Sequence, residues 1–106
     1  MNPSGNPPKL DEVNFSFWKS SMRSHLCSVC VELWGVVENG YEPVDEKNMS
    51  PVEKINFQLN STALDKIRQT FKRDIYDQVV NIESAKQIWD KLSVLFEGTT
   101  TIQTKI

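Results

Sequence analysis

Apolar side chains return every three or four positions from Trp18 through Met22 and Leu26 to Val29 or Cys30, while Lys19, Ser20, Arg23 and Ser24 fill the opposite side. That spacing predicts an amphipathic helix over 15–29. Asn14 or Ser16 is placed to cap it by accepting from the unpaired amides of its first turn. Val31–Val37 is apolar nearly all round, interrupted by Glu32 and Gly35, and periodicity alone does not separate a buried helix from a strand there. A short helix ending at Asn39-Gly40 is the preferred reading. Residues 40–49 carry Gly40, Pro43, Asp45 and Asn48 and little apolar surface, so they predict a loop.

Ser50-Pro51-Val52-Glu53 then starts a helix sharply. Ser50 is the N-cap, Pro51 occupies the first helical position where its missing amide costs nothing, and Glu53 closes a capping box. Its stripe runs Val52, Ile55, Leu59, Ala63, Ile67, Phe71, widened by Leu64, and predicts the longest helix over 51–71. Residues 74–80 form a shorter helical candidate. Ser84 to Gln87 reads as a second capping box, opening a helix whose face of Ala85, Ile88, Trp89, Leu92, Leu95 and Phe96 lasts to Gly98. The expectation is an all-α domain, a compact bundle of about five helices over 13–98. A flexible Pro-, Gly- and Asn-rich tail over 1–12 precedes it. Residues 99–106 follow as an extension, read as the start of a truncated helix.

Composition narrows the functional classes. The 106 residues are 39% hydrophobic and 25% charged, ordinary for one globular core. The formal net charge is −2 with both signs interspersed, so the electrostatic footprint of a phosphate-backbone binder is missing. Weak single-stranded RNA binding rests only on Lys66, Arg68, Lys72 and Arg73 at one helix end and ranks third among the readings. The apolar runs fall short of the roughly 20 residues that span a bilayer, and the opening residues lack the charged and apolar regions of a secretory signal. A cytoplasmic protein is expected, with entry to the nucleus by diffusion as the alternative, and its two cysteines as free thiols.

The order of these residues carries a resemblance. Leu10-Asp11-Glu12-Val13-Asn14-Phe15-Ser16-Phe17-Trp18 is followed by Met22 and Leu26, then Leu33-Trp34, Val37 and Gly40-Tyr41. Asn60, Ala63, Leu64 and Ile67 come next, then Ile75 and Val79, then Ala85 to Leu92 and Phe96-Glu97-Gly98. This set resembles the N-terminal, capsid-like region of Gag polypeptides from copia-type LTR retrotransposons of plants, over roughly residues 10–106. The resemblance implies a helical lobe that associates with proteins, either copies of itself or peptide ligands, in a transposon gene or one taken over by its host. The family's polypeptides continue into further helices and a zinc knuckle, which these residues do not contain.

Candidate chemistry adds little to that. His25, Cys27 and Cys30 lack the fourth ligand of a tetrahedral zinc site, and the cysteine pair sits late in a helix rather than at the helix N-terminus a redox motif needs. His25 and a cysteine on one helix do not converge as a nucleophile and base. Asp45, Glu46, Asp74, Asp77 and Glu83 read as solvated faces, and no Gly-rich phosphate loop is present. No enzyme, cofactor or metal site is expected. Three tryptophans and five phenylalanines exceed what a minimal helical core requires. Trp18, Trp34 and Trp89 are assigned to the core. Phe15, Phe17, Tyr41 and Phe57, least explained by the stripes, are the candidates for an apolar groove that binds a protein or peptide. A capsid-type subunit that binds its own copies is the alternative.

Overall fold

The computed structural model describes residues 7–42 and 45–97, and apart from one bridge between Leu10 and Phe71 every regular element in them is helical. The order is α1 (Phe15–Val29), α2 (Val31–Asn39), a 3₁₀ turn (Glu46–Asn48), α3 (Pro51–Arg68), α4 (Arg73–Val79) and α5 (Ala85–Phe96). The expected tail over 1–6, the loop residues 43–44 and the extension from Gly98 onward lie outside the described residues.

Local chemistry accounts for the breaks. Cys30 is extended, and it alone separates α1 from α2: its N–H still donates to the Leu26 carbonyl, while its own carbonyl accepts from Leu33. Val31–Asn39, the segment whose periodicity was ambiguous, is a helix. Being apolar almost all round, it sits at the centre, packed against α1, α3 and α5 through Leu33, Val36 and Val37. The Ser50–Glu53 capping box forms in both directions at 3.2 and 2.8 Å. At α5 only half of the expected box is made, Ser84 accepting from the Gln87 amide at 3.3 Å.

Apart from that for Phe15, four further expectations about element bounds and burial change. Residues 7–12 are not wholly tail: Leu10 has no exposed surface, and its N–H donates to the Thr70 carbonyl at 2.9 Å. A turn steers it there, because Asp11 and Asn14 exchange hydrogen bonds, backbone N–H to side-chain oxygen, in both directions. That commitment of the Asn14 side chain leaves α1 without a side-chain cap. Secondly, α3 ends at Arg68 rather than at 71, tightening through turns from Thr70 to Ile67 and from Phe71 to Arg68; the Phe71 side chain is buried nonetheless. Thirdly, Val52 and Ile55 are 65% and 58% exposed although they belong to the stripe. All four buried residues of α3 fall from Asn60 onward. At about 1.5 Å per residue α3 is roughly twice as long as α2, and its first turns run beyond what the central helix covers. Lastly, Val29 and Leu95 are exposed at the ends of their stripes, where α1 and α5 run out.

An aromatic column runs from the core outward, with Phe15 and Trp18 buried and Phe96, Trp89 and Trp34 half-buried against them. Phe96 stacks on Phe15, Phe15 on Trp18, Trp18 lies against Trp89, and Trp89 meets the edge of Trp34, with centroids 5.1–5.8 Å apart. Phe15 is thus 5% exposed and belongs to the core, which removes it from the groove candidates. The signal was present in the sequence, since Phe15, Trp18, Met22 and Leu26 share one helical face.

At the end of α2 the chain turns at Gly40, with φ +94° and ψ 176°, a region essentially reserved for glycine. A Cβ there would also stand 3.1 Å from the Lys86 Cδ. Gly40→Ala is therefore expected to cost about 1–3 kcal/mol, read as a shift in the urea midpoint at unchanged slope.

Candidate functional site

Gly40 sends Tyr41 across the face of α3, where its ring meets Phe57 at a centroid distance of 6.2 Å. Both rings stay half-buried. On one side of Tyr41 lies a cleft of about 440 Å³ between α2 and α3, formed by Gly35, Val36 and Leu59 with Glu32, Glu42 and Glu53 around it. On the other side a cleft of about 360 Å³ opens between α3 and the start of α5, formed by Phe57, Asn60 and Leu64 with Glu46, Glu83 and Gln87. Tyr41 lines both, so the two clefts make one groove with an aromatic ridge in its middle.

The groove's geometry comes from α3. Positions 53, 56 and 59 turn towards α2 and positions 57, 60, 61 and 64 towards α5, one helix serving as the wall of both clefts. Asn60, only 3% exposed, anchors the second cleft. Its Nδ2 donates to the Glu83 carbonyl and its Oδ1 accepts from the Ala85 amide, each at 2.8 Å. Gly35 on α2 faces open space, so the α2 backbone is accessible on the cleft side. Partial burial, then the negative charges of Glu46 and Glu53, push the Tyr41 hydroxyl above the ordinary phenol range.

Of the four candidate aromatics, the structure brings Tyr41 and Phe57 together. Phe15 is in the core, and Phe17, 65% exposed on the solvent side of α1, lines neither cleft. The two adjacent phenylalanines should respond oppositely: Phe15→Ala is expected to cost about 3–5 kcal/mol, while Phe17→Ala should stay within about 0.5 kcal/mol, both by urea unfolding. The grouping of the glutamates around the groove escapes sequence reasoning, which takes Glu46 and Glu83 as solvated and Glu53 as a cap, because Glu32, Glu42, Glu46, Glu53 and Glu83 come from four separate parts of the chain.

The other candidate chemistry disperses. Among the described residues no group of three or more His, Cys, Asp or Glu side chains gathers as a metal-ion cluster. The Cys30 thiol donates to Glu32 at 2.8 Å. His25 shares a small cleft with Lys9 and Lys66, and burial, then the charge of Lys66, lower its pKa. The basic residues at the end of α3 do not act together: Arg68 donates to the Val80 and Ile82 carbonyls, Arg73 pairs with Asp77, and Lys72 lines a small cleft along with Asp11 and Asp74. No described helix is long and apolar enough to cross a membrane.

Fold and groove together define an all-helical domain with an open apolar groove. No family model, curated protein or solved structure matches the chain.

Proposed function

We propose that this chain is a non-enzymatic protein-docking domain of copia-type Gag origin, working in the cytoplasm, which engages a protein or peptide in the groove around Tyr41. One observation carries the docking reading: the Tyr41 and Phe57 rings meet on the surface between two contiguous clefts instead of closing into the core. Amphipathic helices and extended peptides bind such apolar channels by inserting side chains at regular spacing. The Gag origin rests on the ordered motif residues of the sequence, of which Leu10, Trp18, Met22, Leu26, Leu33, Ile88 and Leu92 belong to the core. Among the described residues the groove's ionisable lining is carboxylates and one phenol, with no base held against a nucleophile, which favours association over catalysis.

The test is selection from a displayed random-peptide library against the immobilised chain, followed by titration of the enriched sequences. Tyr41→Ala should weaken them about tenfold or more with the melting temperature nearly unchanged. Gly35→Ala should raise stability by about 0.5–1 kcal/mol yet weaken binding, because its methyl enters the α2–α3 cleft. A folding defect cannot produce that combination. Failure to enrich any peptide, or binding indifferent to Tyr41, overturns the reading.

A second reading, a capsid-type subunit that associates with its own copies, is favoured by Val13 and Phe17, which stand in solvent away from the groove. Light scattering across a concentration series decides it: a rise towards dimers that Phe17→Ser abolishes supports self-association, and a constant monomer mass removes it.

A further inference from the structure

The groove carries one sign of charge. Glu32, Glu42 and Glu53 line the α2–α3 cleft, Glu46 and Glu83 line the α3–α5 cleft, and no Lys or Arg among the described residues lines either. The whole chain holds 12 basic and 14 acidic residues, so five glutamates without a base in one channel is a local segregation. Of the nine carboxylates elsewhere, three form ion pairs among the described residues, Glu97 with Lys19, Asp77 with Arg73 and Asp90 with Lys86, whereas none of the five in the groove does. In the groove, Glu53 accepts from the Ser50 amide and Glu32 from the Cys30 thiol, bonds that fix the carboxylates in place without neutralising them. At the ridge, burial first and the charges of Glu46 and Glu53 second push the pKa of the Tyr41 hydroxyl upward.

Between the glutamates the surface is apolar, with Val36, Leu59, Tyr41 and Phe57. Val52 and Ile55, exposed on the turns of α3 just before Leu59 and on its side of the helix, extend that surface. An apolar channel with acidic rims complements a segment with bulky apolar side chains on one face and cations flanking them. It repels a phosphate backbone. Building on the docking reading above, we infer that the groove takes a cationic amphipathic peptide segment of a partner protein, with apolar side chains against Tyr41 and Phe57 and Lys or Arg against the glutamate rims.

Three labelled helical peptides with one shared Leu and Phe pattern, their polar positions all Lys, all Gln or all Glu, test this by fluorescence anisotropy against the full chain. The Lys peptide should bind about tenfold or more tighter than the Gln peptide, and its affinity should fall with added salt. Glu42→Lys combined with Glu83→Lys puts one reversal in each cleft at exposed carboxylates that hold no hydrogen bond or ion pair among the described residues. That variant should lose the preference for Lys and gain affinity for the Glu peptide. Equal binding of the Lys and Gln peptides, both lost in Tyr41→Ala, overturns the charge inference and leaves the docking reading standing. Binding of the Lys peptide that survives both Tyr41→Ala and the double reversal is attraction elsewhere and also overturns it. So does no binding of any of the three, with the docking reading then decided by the peptide selection.

Discussion

Replacing Trp18 by alanine is expected to remove about 3–5 kcal/mol of stability, a large share of the roughly 5–15 kcal/mol that holds a domain together. Trp18 is fully buried and touches three other rings, Phe15, Trp89 and Phe71. Truncation opens a cavity where α1, α5 and the α3–α4 corner converge, and packed neighbours collapse into such a space only in part. A polar loss adds to it. The indole Nε1 donates to the Thr70 hydroxyl at 2.9 Å, and that hydroxyl donates to the Ile67 carbonyl at 2.8 Å. Thr70 also accepts the Leu10 amide through its carbonyl, so the tryptophan, the chain entry and the end of α3 share one residue. Trp18→Phe should restore much of the packing and take away only the indole donor, the Thr70 hydroxyl keeping its bond to the Ile67 carbonyl, giving an intermediate loss. Thr70→Val, which removes only the hydroxyl, should cost about 1–3 kcal/mol. Urea unfolding of the three variants orders them; a Trp18→Ala loss below that of Thr70→Val would show the column to be loosely packed.

Asn60→Leu is the second large effect, at about 2–4 kcal/mol. Leucine matches the size but makes neither hydrogen bond, leaving the Ala85 amide without its acceptor in a buried corner and the Glu83 carbonyl without its donor. Asn60 caps the start of α5 from another helix, one of the unsatisfied first-turn amides being met across the bundle. The damage should therefore be local first. Amide hydrogen exchange is expected to speed up through Ala85–Ile88 ahead of α1 and α2, and α5 should fray from its N-terminus. Because Asn60 and Ser84 also line the second cleft, the same variant should loosen the groove on the α5 side. Uniform acceleration across all helices would mean that α5 has no stability of its own to lose.

The helices were legible because their signals are local. The α1 range needs only the three-to-four-residue return of Trp18, Met22 and Leu26, and the α3 start needs only Ser50, Pro51 and Glu53, whose hydrogen bonds close within one turn. Errors arose where a residue's surroundings are supplied from far along the chain. The Pro-, Gly- and Asn-rich composition of 1–12 places Leu10 in a tail, yet Thr70, sixty residues on, receives it. Val52 and Ile55 carry the same periodic signal as Ala63 and Ile67, but only the latter pair has helices opposite it. Phe15 differs from these, since it continues the α1 stripe by one turn and its burial is written in the local period.

By itself, the sequence determined the all-helical class and the punctuation at Ser50, Ser84 and Gly40, written in period and in residues with one conformational use. Only the tertiary structure decided that Tyr41 lands on Phe57, that Asn60 holds the start of α5, and that five glutamates from four segments rim one groove. The reason is range: a helix or a cap closes within four residues, whereas a groove exists only where separate elements stop short of covering one another, and their lengths and crossings are set by the packing of the whole core.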